Sequence, residues 1–94
     1  MEIYQLRYFA YAAKYENITM AAQELNVSQP SISKAIQSLE RELKTELLRK
    51  NGRSCVLTHD GYLLQERVVP LLEEIERLPL EFHNRQKKKL IRLN

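Results

Sequence analysis

The sequence predicts a mainly α fold: a core of three short helices, then a two-stranded β wing, then one long helix. Three observations predict it. Between Thr19 and Leu43, apolar residues recur at helical spacing on both sides of an Asn-Val-Ser corner. Asn51-Gly52 is a strong short hairpin signal between two runs of strand-forming character. From Leu64 onward an apolar repeat steps by four and three residues, the spacing of a coiled-coil seam.

The first helix is expected from residue 2 to about residue 15. Leu6, Phe9, Ala10 and Ala13, with Ile3 at the margin, make one apolar face that can cover the helix pair that follows. Tyr4, Tyr8, Tyr11 and Tyr15 form a second stripe on another side. Tyrosine buries its ring while its hydroxyl stays wet. The stripe therefore fits either a later helix of the same chain or a long C-terminal helix at a dimer interface.

Thr19 is the expected N-cap of the second helix, whose inward positions are Ala21, Ala22 and Leu25. Asn26 falls where the corner needs left-handed backbone angles, which Asn reaches more cheaply than most residues. Val27 plugs the corner, Ser28 caps the third helix, and Pro30 sits in its first turn, where a missing N–H costs nothing. Ile32, Ala35, Ile36, Leu39 and Leu43 share the third helix's inner side. Its outer side carries Pro30, Ser33, Lys34, Gln37 and Arg41, with Gln29 and Ser31 at the exposed N-terminal end. That side has hydrogen-bonding and cationic groups and no carboxylate, which suits a surface laid against phosphates and base edges. A helix of this width fits the DNA major groove and reads it with its N-terminal residues.

Leu47 to Lys50 and Arg53 to Leu57 are expected to flank the Asn51-Gly52 turn as the wing. Arg49, Lys50 and Arg53 cluster there, placed to meet phosphates or the adjacent minor groove. Cys55 has no thiol, His or Asp partner at metal or catalytic spacing and is read as strand packing.

Thr58 is the expected cap of the long helix, with Asp60 in its first turn, where the helix dipole favours an acid. Leu64, Val68, Leu71, Ile75, Leu78 and Phe82 form the seam. A solitary helix with such a seam needs a partner, and the same helix of a second subunit supplies one. Pro70 should bend this helix; Pro79 either ends it or bends it again. His59 and His83 are expected at the surface. Leu90 to Leu93 alternates loosely, as the start of a strand or as part of a disordered basic tail.

Composition narrows the classes further. Ninety-four residues with 44% hydrophobic content suit one small module. No apolar run approaches the ~20 residues of a membrane span, and no secretory signal opens the chain. One cysteine excludes an internal disulfide and fits a reducing, cytoplasmic setting. The net charge is only +3, but residues 49–57 hold three basic side chains and no acidic one, which focuses the positive field just after the helix pair.

The whole chain resembles the N-terminal DNA-binding region of a LysR-type transcriptional regulator. The resemblance lies in Leu6 and Phe9, Ala21-Ala22 with Leu25, the run Val27-Ser28-Gln29-Pro30-Ser31-Ile32-Ser33, Ile36, Leu39-Glu40 with Leu43, Leu47, Arg53, Leu57-Thr58 and Gly61. It departs at Thr45, Leu48 and Lys50, where the family usually has Gly, Phe and Arg. It implies a winged helix-turn-helix over residues 1–57, a dimerising linker helix over 58–85, and a basic tail, 86–94, leading to an effector-binding domain that is absent here and would take a small-molecule effector. This chain itself is expected to hold no cofactor or metal.

The family's base and phosphate contacts carry over onto Gln29, Pro30, Ser31, Ser33, Lys34 and Arg53. Gln29 and Ser33 would read bases, and Ser31, Lys34, Arg53 and Thr19 would hold phosphates; Ser28, Gln37 and Lys50 complete the expected DNA-binding set. The expected partners are double-stranded DNA as an interrupted palindrome and a second copy of the chain, with tetramers of a full-length protein and RNA polymerase as further partners and no membrane. A winged helix docking a protein partner is the rival class. An enzyme has no support, since there is no carboxylate pair, activated nucleophile or glycine-rich phosphate loop.

Overall fold

The structure is a computed structural model that describes residues 1–52 and 54–93, with side chains described through residue 85. Its elements follow the expected order: α1 (Ile3–Tyr15), α2 (Ile18–Leu25), α3 (Gln29–Leu43), β1 (Leu48–Asn51), β2 (Ser54–Leu57) and α4 (His59–Leu93).

The three short helices close around Phe9, Ile32 and Leu39, all 0% exposed, with Ala13, Ala21, Ala22 and Ile36 filling between them. Small residues on α1 and α2 let the backbones approach, so one aromatic ring and four branched chains, Leu47 among them, suffice to fill the centre. Ala12, on the flank of α1 nearer the tyrosines, is also fully buried, because β2 packs there. The Cys55 N–H donates to the Glu16 carbonyl at 2.9 Å and the Cys55 thiol points at the Ala12 carbonyl. Cys55 is 1% exposed. Burial, with the nearby Glu16 charge as a lesser cause, pushes its thiol up from the ordinary range.

Two caps behave as the sequence predicts and one does not. The Ser28 hydroxyl accepts from the Ser31 N–H at 3.2 Å, and the Thr58 hydroxyl accepts from the Gly61 N–H at 3.0 Å. Helix α2, however, begins at Ile18, and its cap is Asn17, whose Oδ1 accepts from the Met20 N–H at 3.0 Å. Thr19 is therefore an exposed residue of the first turn, displaced by a stronger capping side chain two places earlier. Asn26 takes the left-handed corner at φ 57°, and the Val27 N–H closes the turn onto the Ala22 carbonyl.

The wing is an antiparallel pair with Leu48 opposite Leu57 and Asn51 opposite Ser54. Asn51 is thus the last residue of β1, and the turn starts one residue later than the Asn-Gly pair implies, with Gly52 at φ +65°.

Helix α4 crosses α1 at a second, smaller cluster: Ala10, Val68 and Leu72, with Leu6 and Leu64 shared with the main core. The tyrosine stripe does not meet it. Tyr4 is exposed, and Tyr8, Tyr11 and Tyr15 lean on the main core from their own side, with Tyr4–Tyr8 paired edge-on and Tyr11–Tyr15 paired at a tilt. The long helix carries both Pro70 and Pro79 inside it and runs on to Leu93, so residues 90–93 are helical backbone rather than the start of a strand. His59 and His83 are exposed. No helix among the described residues is long and apolar enough to cross a membrane.

Candidate nucleic-acid interface

The polar side of α3 is displayed as its pattern requires. Ser28, Gln29, Pro30, Ser31, Lys34, Gln37 and Arg41 are exposed, while Ser33 is half-buried on the flank that turns toward the wing. At the N-terminal end Ser28 and Ser31 share a 2.7 Å hydroxyl contact, which joins the Ser28 cap on the Ser31 N–H in fixing the first turn. Along the inner side Ile32, Ala35, Ile36 and Leu39 are buried, and only Leu43, at 36% exposed, runs past the core.

The wing stands beside that helix. A shallow cleft between them is lined by Ser33, Gln37 and Glu40 of α3, by Leu48, Lys50 and Cys55 of the wing, and by Ile18 at the start of α2. Ser33, Gln37 and Lys50, three members of the expected DNA-binding set, are brought together there. Thr19, next to Ile18 in sequence, is exposed but does not line this cleft. Arg53 lies outside the described residues.

The cations differ in availability. Arg49 is held at 3.0 Å by Glu46, whereas Lys34, Arg41 and Lys50 form no ion pair among the described residues. The one carboxylate in the cleft, Glu40, is engaged with backbone. Its Oε2 accepts from the Leu47 N–H at 2.8 Å and the Leu48 N–H at 3.4 Å. Nothing in the spacing announces this contact, because it joins a helix to a loop seven residues on. The same loop is tied to α4: the Thr45 hydroxyl donates to the Asp60 carboxylate, and the Thr58 hydroxyl donates to the Glu46 carbonyl at 2.6 Å.

Of the expected dimer seam, Val68 is buried on α1 of its own chain, and Leu64 is partly so. Leu72, which lies off that seam, takes up the rest of the intramolecular contact. Leu71, Ile75, Leu78 and Phe82 remain exposed, at 56, 36, 47 and 56%. Ile3, Leu6, Leu71, Ile75 and Leu78 line an open apolar groove along α1 and α4.

A three-helix core that displays the polar side of its third helix next to a basic two-stranded wing defines a winged helix-turn-helix. The chain belongs to the lysR family of bacterial regulatory helix-turn-helix proteins, whose pattern matches residues 3–62. It is 40% identical over 78 residues to the probable cat1 operon transcriptional activator of Acinetobacter lwoffii, covering 83% of this chain and 26% of that protein. It is 49% identical over 61 residues to the HTH-type transcriptional regulator BudR of Raoultella terrigena, covering 65% of this chain and 21% of that protein. The chain thus spans about a quarter of the length of these curated relatives.

Among solved structures it resembles the CbnR DNA-binding domain in complex with DNA, at 35% identity and a TM-score of 0.80, over 92% of this chain and 99% of that one. It also resembles the BenM DNA-binding domain on the benA site 1 DNA, at 31% identity and a TM-score of 0.80, over 89% of this chain and 98% of that one.

Proposed function

We propose that this chain is the DNA-binding and dimerising segment of a LysR-type transcriptional regulator and that its role is recognition, not catalysis. The observation that carries this reading is the cleft where Ser33 and Gln37 of α3 stand beside Lys50 of the wing. It is supported by the exposed polar outer side of α3, whose one carboxylate in the cleft, Glu40, is engaged with backbone, and by the likeness to two chains solved on DNA. Helix α3 enters the major groove, where Gln29 and Ser33 read base edges; Thr19, Ser28, Pro30, Ser31, Lys34 and Gln37 line the approach, and Lys50 and Arg53 reach the backbone or the adjacent minor groove.

Residues 1–57 act as the reading head and 58–85 as the linker, with residues 86–94 leading toward an effector-binding domain in the cytoplasm. Two copies join through Leu71, Ile75, Leu78 and Phe82 and bind an interrupted palindrome, with half-sites ~34–36 Å apart or a multiple of that spacing. The test is fluorescence anisotropy on a short interrupted-palindrome duplex and a scrambled control at several salt concentrations. Tighter binding to the palindrome with a steep negative salt slope is the expected result. Equal, weak, salt-insensitive signals from a dimeric sample would overturn the reading in favour of a protein-docking winged helix.

A further inference from the structure

The hydrogen bonds that tie the near strand of the wing to α3 and α4 gather at Leu47. Leu47 has its side chain in the main core, 1% exposed. Its N–H donates to Glu40 of α3, and its carbonyl accepts from the Thr58 N–H at 3.0 Å and the Thr58 hydroxyl at 3.3 Å. Leu48, the first residue of β1, donates its N–H to the same Glu40 oxygen. The wing is a two-stranded sheet with no third strand among the described residues, so its own ladder cannot fix its distance from α3. Cys55 holds the far strand against α1. On the near strand, the side-chain hydrogen bonds that span from α3 are those of Glu40. Lys50 lies two residues beyond Leu48 and lines the same cleft as Glu40.

We propose that Glu40 is a positioning residue for DNA reading: by gripping the Leu47 and Leu48 amides it sets the gap between α3 and the wing, and so places Lys50 on the phosphate backbone while α3 occupies the groove. This rests on the DNA-binding reading above. A charged acceptor bridging two backbone donors is stronger and more directional than a neutral one, which suits a spacer between two reading elements. The carboxylate does not touch DNA; its negative charge is spent on the amides instead of repelling phosphate.

The test is a double-mutant cycle on the full 94-residue chain, read as the slope of log affinity against log salt. In the wild-type background Lys50→Ala should flatten the slope by about 0.9, the loss of one phosphate contact. Glu40→Ala should flatten it by a similar amount while keeping the preference for the palindrome over the scramble, because Gln29 and Ser33 stay where they are. In the Glu40→Ala background Lys50→Ala should change the slope no further. Glu40→Gln, whose amide oxygen can still accept, should restore most of the Lys50 effect.

If Lys50→Ala flattens the slope equally in both backgrounds, Glu40 does not place the wing. If Glu40→Ala erases the palindrome preference along with the slope, Glu40 holds the whole fold and the proposal is again overturned. Should Glu40→Ala not fold, Glu40→Asp carries the same cycle with the charge kept and the reach shortened, and is expected to give the same uncoupling. A wild-type chain that shows no salt slope would defeat the DNA-binding reading itself, an outcome distinct from a normal wild-type slope with an unchanged Lys50 effect.

Discussion

Gly61→Ala is the substitution whose outcome the structure sets most tightly. Gly61 lies in the first turn of α4, where a Cβ would meet the Leu47 carbonyl oxygen at 2.2 Å and Leu57 Cδ2 at 2.9 Å. The first of these is backbone, so no rotamer change relieves it. Either α4 lifts or the Leu47 peptide turns away, and the second movement breaks the bonds from Thr58 and strains the bond to Glu40. In isolation, Ala in place of Gly favours a helix by ~0.8–1 kcal/mol. Against this stand an overpacking cost of ~1–3 kcal/mol and ~1–3 kcal/mol for a buried carbonyl left short of its donors. The unfavourable terms win, and the net expectation is about 3 kcal/mol of destabilisation, with the clash deciding the sign.

The assay is thermal unfolding followed by circular dichroism, with urea melts at one temperature as a check. For a domain of this size ~3 kcal/mol corresponds to a fall in Tm of ~12–24 °C. Gly52→Ala is the control. That glycine has φ +65° and nothing within 4 Å of an added Cβ, so it should cost only the left-handed penalty of ~1–2 kcal/mol and leave the α4 junction intact. The two variants are then separated by hydrogen exchange at the Thr58 and Gly61 amides, which only Gly61→Ala should accelerate. A Gly61→Ala protein as stable as wild type, with those amides still protected, would mean that the Leu47 carbonyl does not confine the start of α4.

Three further outcomes are expected. Gln29→Ala should cost ~1–3 kcal/mol on the cognate duplex and narrow the gap to a scrambled one, measured by anisotropy; an unchanged ratio between the two duplexes would remove Gln29 as a reader. Ile75→Glu should leave the melting temperature of the reading head nearly unchanged and convert a dimer to a monomer in sedimentation velocity, since Ile75 is exposed in the single chain and only an interchain seam would bury it. Cys55 should resist a thiol reagent in the native state and react only as fast as the chain unfolds. Its raised pKa also means that the contribution to stability is fully present below the unfolded thiol's value and is lost as pH rises through the folded one. A urea melt series taken upward from neutral pH checks the sign.

The parts of the fold that were legible in the sequence are those set by local rules. The apolar register of α3, the Asn26 corner and the Ser28 and Thr58 caps each depend on residues within a turn of one another, and each is where the pattern puts it. The α2 start departs from the sequence pattern because two capping residues, Asn17 and Thr19, compete within three positions, and composition does not rank them against the path of the chain from α1. The turn was misplaced by one residue because Asn51 is also acceptable at a strand end, and the register of β2 against β1 decides between the two. Ala12 and Glu40 were missed as structural residues for a different reason. Their partners, Cys55 and Leu47-Leu48, come from elements whose docking no periodicity records.

The long helix shows how one repeat serves two contacts. Its four-three pattern predicts a single seam, yet Val68 and Leu72, four residues apart, face Ala10 of α1, while Leu71, Ile75 and Leu78, which follow the predicted spacing, stay open. The two faces are adjacent on the helix, so the surface that pins α4 to its own reading head borders the surface left for a second copy. The Arg7–Glu76 contact at 3.8 Å is partly exposed and adds little to that anchoring, which leaves the Leu64, Val68 and Leu72 packing to do it. The junction at Leu47 then joins the base of α4 to the wing and, through Glu40, to α3. In a dimer built on the open seam, the angle between the two long helices would be passed to both reading heads through a packed apolar contact and one clamped peptide. Half-site spacing would then respond to substitutions at Gly61 or Val68, both of which are buried. A set of palindromes with spacers lengthened one base pair at a time tests this: Val68→Ala should broaden the preferred spacing while leaving the preferred half-site sequence as it is.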